Sequence, residues 1–233
     1  MLKVIDLSKV IFKVISLEDN INIIKDFYSI EDKNLIDYFD IDINSNNINK
    51  EIEVKVSKKY NENINNMNNS MNIFNNIWNK YNDLYFSELT KYLNIDFDRN
   101  IECYIGVFTI FPRYLNSFNF CISYNLDENK LIEVCAHEIL HFVWFKKFKE
   151  LYPDINEIEY DNPYLAWEYS ELVVDFILNS KDINNILKIN AKSYDYFYEL
   201  NCFNKIREIY LSNNSIENKI RLGYEYLKKE GIK

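Results

Sequence analysis

The chain has two histidines in 233 residues. They stand four apart in the stretch CAHEILHFVWF, residues 135–145, with a glutamate directly after the first. On a helix, residues four apart lie one above the other on one face. His137 and His141 can therefore point two ring nitrogens at one ion. Glu138 is rotated about 100° from His137, which puts its carboxylate beside such an ion and not on it. From there it can take a proton from water. This is the logic of an HExxH motif: two ligands and a general base. Chance placement of two histidines gives the four-residue gap roughly one time in a hundred, and the adjoining Glu lowers that to about one in a thousand. His, Glu and His would also be costly to bury in an otherwise apolar helix without an ion. The expected cofactor is one zinc ion per chain.

A third ligand cannot be histidine, because none is left. That leaves a carboxylate or a thiol. Soon after the motif, Glu168, Glu171 and Asp175 fall on one stretch, PYLAWEYSELVVDFIL, that reads as a helix. Glu171 and Asp175 are four apart, so one could bind metal while the other holds a histidine N–H. Leu172, Val173, Val174, Phe176 and Ile177 around them argue against a solvated face. If Glu168 were the ligand, the residue one turn on would be Leu172, which can orient nothing.

The elements around these residues are legible in outline. Val10, Phe12 and Val14 alternate as a short strand, and Ile21–Phe27 and Leu35–Phe39 read as short helices. Ile52, Val54 and Val56 alternate with polar residues, which predicts a strand. A stripe from Ile64 through Met67, Met71, Phe74, Trp78, Tyr81 and Tyr85 to Leu89 predicts a long helix whose aromatic face is core. Residues 101–111 and 118–124 read as two strands, antiparallel neighbours across a short link. Asp127 is placed to cap the histidine helix, which should run to about Lys149 and be buried nearly all round. Asn162 with Pro163 predicts the start of the next helix. Residues 183–189, 194–211 and 215–229 read as three more. The fold class is α+β: a small mixed β-sheet backed by a long helix, followed by an active-site helix, a glutamate helix and a helical C-terminal tail. Residues 1–50 are an N-terminal extension with no assigned role, 51–180 the core, and 181–233 a helical C-terminal region.

Composition narrows the function. A net charge of −9 without a basic cluster makes a poor nucleic-acid or anionic-membrane binder, so neither partner is expected. Three glycines cannot supply the Gly-rich nucleotide loops. No run of eighteen apolar residues predicts a membrane span, and the N-terminus lacks the pattern of a signal peptide. The four cysteines show no CxxC pair, so free thiols and a cytoplasmic location are expected.

HEILH followed by SELVVD, with Trp167 just ahead, resembles the gluzincin metallopeptidases, the thermolysin-like enzymes with HExxH and a later ExxxD helix. Size and element order over residues 51–180 resemble the minimal minigluzincins, which implies a zincin-like core. The resemblance implies that His137, His141 and Glu171 bind zinc, that Glu138 is the base, and that Asp175 orients the first histidine. It also implies that the strand Phe118, Asn119, Phe120, Cys121, Ile122 forms the rim of the cleft and pairs with an extended peptide or protein substrate. The family's downstream histidine, which steadies the oxyanion, is absent. Tyr160, Tyr164, Tyr194, Tyr196 and Tyr198 lie where a replacement could come from. The expected function is a zinc-dependent metallopeptidase. A second reading is a latent or non-catalytic zinc protein, in which the helical tail covers the cleft and Cys202 or an acid from 190–233 fills the fourth position. A third is hydrolysis of a non-peptide bond, since the motif specifies activated water and not its target.

Overall fold

In the computed structural model the described residues are 8–29 and 32–232. Residues 1–7 of the N-terminal extension, and residues 30, 31 and 233, lie outside them. The described chain mixes helices with one small mixed sheet, an α+β composition. It divides into two compact units. One holds residues 9–80 and 100–134; the other holds Ser8 with residues 81–99 and 135–232.

The first unit carries the sheet. Its strands are β1 (Val10–Val14), β2 (Ile101–Gly106), β3 (Arg113–Tyr114) and β4 (Asn119–Ser123), in the order β1-β2-β4-β3. Helices α1 (Leu17–Phe27), α2 (Lys33–Phe39) and α3 (Ile48–Trp78) belong to the same unit, and α3 packs on β1 and β2. Val10 and Phe12 of β1 are buried, so part of the stretch read as an extension is a sheet strand.

Two expectations for this unit are corrected. Residues 51–57 are not a strand; they are the second turn onward of α3. Ile52, Val56 and Tyr60 are buried at four-residue steps while Val54 is 52% exposed. The period that decided the fold was 3.6, not 2. The cap lies upstream, where Asn47 accepts from Lys50 N at 3.1 Å. Second, β2 and β4 are parallel, not antiparallel. β2 stops at Gly106 because the buried Asn20 side chain takes over the next backbone groups: Val107 N donates to Asn20 Oδ1 at 2.9 Å, and Asn20 Nδ2 donates to Val107 O at 3.3 Å. Residues 107–118 then form a connection of about a dozen residues, long enough for a parallel crossover. The antiparallel place beside β4 falls to the two-residue β3.

The second unit is helical: α4 (Asn82–Leu93), most of α5 (Glu128–Leu151), α6 (Leu165–Leu172), α7 (Val174–Leu178), α8 (Lys181–Leu187), α9 (Asn201–Leu211) and α10 (Ile216–Glu230). Asp127 caps α5 by accepting from Lys130 N at 2.9 Å, as its spacing predicts. The glutamate helix begins at Leu165, not at Pro163, and Asn162–Pro163 is a cis peptide.

Aromatic packing joins the helices that bear the motif. Trp144 on α5 meets Tyr169 on α6 edge-on, with centroids 5.4 Å apart, and Tyr169 stacks on Tyr224 of α10 at 6.2 Å. The Tyr169 hydroxyl lies 3.3 Å from Tyr210 Oη and from the carbonyls of Lys219 and Ile220. Gly223 leaves room for that ring: a Cβ there would sit 2.8 Å from Tyr169 Cζ. Gly223→Ala should therefore destabilise the protein by about 1–3 kcal/mol, although Ala is the better helix former. Chemical denaturation of the variant, with equal or greater stability as the contrary result, checks it.

A buried lysine ties α5 to α10. Lys147 Nζ reaches Glu217 Oε1 at 2.8 Å and Asn94 O at 2.8 Å, and Asn94 Nδ2 donates to Glu217 Oε1 at 2.8 Å. Lys147 and Asn94 hold the Glu217 carboxyl down to about 2. A depressed carboxyl adds stability above its unfolded value of about 4.3 and loses it as pH falls toward 2. Because Glu217 is partly exposed, Glu217→Gln should cost only about 1–2 kcal/mol at neutral pH. That difference should shrink toward zero near pH 2; a difference constant with pH would refute the assignment.

Candidate metal centre

Every residue of the centre lies in the helical unit. His137, Glu138 and His141 sit mid-way along α5, among Ala136, Ile139, Leu140, Phe142 and Val143, all buried. Tyr85 of α4 donates to the Ala136 carbonyl at 2.6 Å, one residue ahead of the first histidine. The His141 ring stacks on Phe145 at 6.3 Å, and Phe145 packs on Tyr160 at 4.6 Å. Glu171 arrives on α6, whose position is set by Tyr169 against Trp144.

The three groups converge. His137 Nε2 and His141 Nε2 are 3.0 Å apart; His137 Nε2 lies 3.1 Å from Glu171 Oε2, and His141 Nε2 lies 3.2 Å from Glu171 Oε1. His141 and Glu171 are buried, and His137 is 23% exposed. Hydrogen bonds alone do not satisfy this triangle. Each Nε2 carries at most one proton, and Glu171 as a carboxylate carries none, so three contacts cannot all be donor to acceptor. A cation facing three lone pairs satisfies all of them. Zinc bonds of about 2.0–2.1 Å at tetrahedral angles set ligand atoms about 3.3–3.4 Å apart, only slightly wider than the distances observed. Burial alone would push the Glu171 carboxyl up, but His141 and His137 outweigh it and hold it well below the usual range. Among the described residues these three form the one group with donor atoms close enough to share an ion. Cys202 is a buried thiol on α9 and is not part of it.

Glu138 is buried, 6% exposed, one residue on from His137. Asp175 does not take the place expected of it. Its carboxylate accepts from Asn179 Nδ2 at 2.6 Å and from the Tyr198 hydroxyl at 3.1 Å, and from no histidine. The cause is a break in the glutamate helix. Ser193 Oγ donates to the carbonyls of Glu171 at 3.1 Å and Leu172 at 3.2 Å, where helix amides would otherwise bond. The helix ends at Leu172 and restarts at Val174. Glu171 and Asp175 thus fall on either side of a break at Val173, and Asp175 is bonded to Asn179 and Tyr198.

The strand Phe118–Ile122 is not an open edge. β4 pairs with β2 on one side; on the other, β3 pairs with Asn119 and Phe120, and Cys121 N donates to Pro112 O at 2.9 Å. Phe120, Cys121 and Ile122 are buried, and Phe118 has φ 51°. Over Asn119–Cys121 the backbone has no free side for a peptide strand.

The five tyrosines separate clearly. Tyr160 is packed among Phe145 and Phe148, Tyr164 is exposed at the start of α6, Tyr194 leans on Trp167, and Tyr198 is on Asp175. Tyr196 is the one whose hydroxyl is raised by burial and then by the charges of Glu168 and Glu171. Ser193 and Asn179, which fix the turn below Glu171, carry no sequence signal beyond being polar in a helical tail.

No family model, curated protein or solved structure matches the chain.

Zinc titration of three variants checks the ligand set. Glu171→Ala should abolish tight binding, and Glu168→Ala should leave affinity nearly intact. Asp175→Ala, acting only through Asn179 and Tyr198, should weaken it by less than the tenfold or more typical of a carboxylate bonded to a ligand histidine. Loss of zinc in Glu168→Ala instead would overturn the assignment.

Proposed function

We propose that the chain is a zinc-dependent metallopeptidase of gluzincin type with a zincin-like core. The observation that carries the reading is the convergence of His137, His141 and Glu171 at 3.0–3.2 Å, with Glu138 buried directly beside the first histidine. A structural zinc site closes with four protein ligands; a catalytic one has three and an open position. The donor group here counts three. Glu138 supports catalysis over storage, because a structural site needs no base. Bound zinc would acidify a water and polarise the scissile carbonyl. Glu138 takes the proton at its carboxylate and passes it to the leaving amine. The buried aromatic wall of Phe145 and Tyr160 keeps solvent from the second histidine.

The latent reading is favoured by one observation: the tail does reach the centre, since Ser193 bonds the Glu171 carbonyl. The two readings part on a single measurement. A zinc-loaded full chain that cleaves a generic peptide library supports the enzyme. A full chain that is inert, while Ser193→Ala, which releases the tail from the Glu171 carbonyl, cleaves, supports latency.

The role of Glu138 has its own test. Glu138→Gln should keep fold and zinc content while peptidase activity falls at least about a hundredfold. If that variant lost zinc as readily as His137→Ala, Glu138 would be a ligand and the assignment of the base would be wrong.

A further inference from the structure

We propose that Trp167, Glu168, Tyr194 and Tyr196 form a substrate subsite beside the metal centre that takes a positively charged group of the peptide. The inference rests on the peptidase reading and names its substrate class. Four observations meet at this patch. Glu168 lies one turn before Glu171 on α6, so the two share a helix face and their Cβ atoms are about 5–6 Å apart. It is half-buried and, unlike Glu171, which meets two histidines, it enters no ion pair with any described residue. Burial pushes its carboxyl up, with nothing opposing. Beside it stands a row of rings, Trp167 to Tyr194 at 6.2 Å and Tyr194 to Tyr196 at 5.9 Å. Tyr194 and Tyr196 are 49% and 47% exposed.

The row is held from behind. Phe197, fully buried, packs 4.3 Å from Tyr196, and Ser193 pins the segment to the Glu171 turn. Rings that are rigid and open on one side, next to a carboxylate that lacks a counter-ion, fit an ammonium or guanidinium. The ring faces attract the charge, and the carboxylate accepts its hydrogen bonds. An apolar side chain would use the rings but leave the Glu168 charge desolvated and unanswered. The net charge of −9 favours approach of a cationic peptide in the same direction. A lysine or arginine side chain and a free N-terminal ammonium offer the same chemistry.

Binding to the zinc-loaded Glu138→Gln protein tests this without turnover. The probes are three alanine pentapeptides. One is blocked at both ends with a central lysine, one is blocked with a central norleucine, and one has a free N-terminus. At least one charged peptide should bind about tenfold or more tightly than the norleucine peptide, and which one does so tells side chain from terminus. Adding Glu168→Gln should abolish that preference with zinc content unchanged. Tyr196→Phe should keep it, and Tyr196→Leu should reduce it. Equal binding of all three peptides, no binding of any, or a preference that survives Glu168→Gln would overturn the proposal. Zinc content measured on the same sample reports separately on the metallopeptidase reading.

Discussion

A carboxylate that is 3% exposed stays ionised only if positive charge is held against it. Glu171 is such a group, and the rest of the helical unit can be understood from what it requires. Two imidazoles on one face of α5 meet it, their nitrogens nearly touching. Each of the three alone would be a penalty in an apolar interior. Together they are one another's polar partners, at 3.0–3.2 Å. The helix that carries the histidines can therefore be almost wholly buried without losing its polar residues to solvent.

That arrangement needs one long-range placement. His137 and His141 are set relative to each other by a single helical turn, which local structure guarantees. Glu171 must come from a helix separated by a loop and a cis proline. Its position depends on Tyr169, wedged between Trp144 and Tyr224 with its hydroxyl on the carbonyls of α10. The C-terminal helices are thus not an appendage to the centre. They form the wall against which its third member is seated, and Lys147 with Glu217 fastens that wall to α5.

What the sequence made legible follows this division between local and distant causes. The helix of His137 and His141, its Asp127 cap and its burial were readable because period and capping are local. So were β1, β4, α8 and α10, whereas the single helix read over residues 194–211 is a 3-10 segment, Asp195–Glu199, then an extended Leu200 and α9. Elimination left a carboxylate or a thiol as partner of the two histidines, and Glu171 was singled out by its one-turn relation to Asp175; the structure does bring Glu171 to the histidines. The role given to Asp175 was not readable, because it presumed one unbroken helix, and a serine more than twenty residues away ends that helix at Leu172. The strand at residues 51–57 failed for a related reason. Ile52, Val54 and Val56 fit the strand period over so short a run, and Tyr60, the Asn47 cap and the exposure of Val54 show the helical one. The parallel pairing of β2 and β4 turned on Asn20, a side chain that imitates a strand and carries no pattern.

The break after Leu172 also changes what the centre can be asked to do. In a continuous helix, a carboxylate one turn beyond the ligand would be committed to a histidine. Here Asp175 is committed to Asn179 and Tyr198, which belong to the structure around residues 191–198. Ser193 in that same segment grips the Glu171 carbonyl. The ligand and the tyrosine row are therefore fastened to each other through backbone and side-chain hydrogen bonds over a few residues. A shift of the segment that bears Tyr194 and Tyr196 would be felt at Glu171 first, and a cation pulling on Glu171 would stiffen the row in return. The position of Glu171 and the shape of the aromatic patch are then tied through one small hydrogen-bonded unit, and neither is independent of the other.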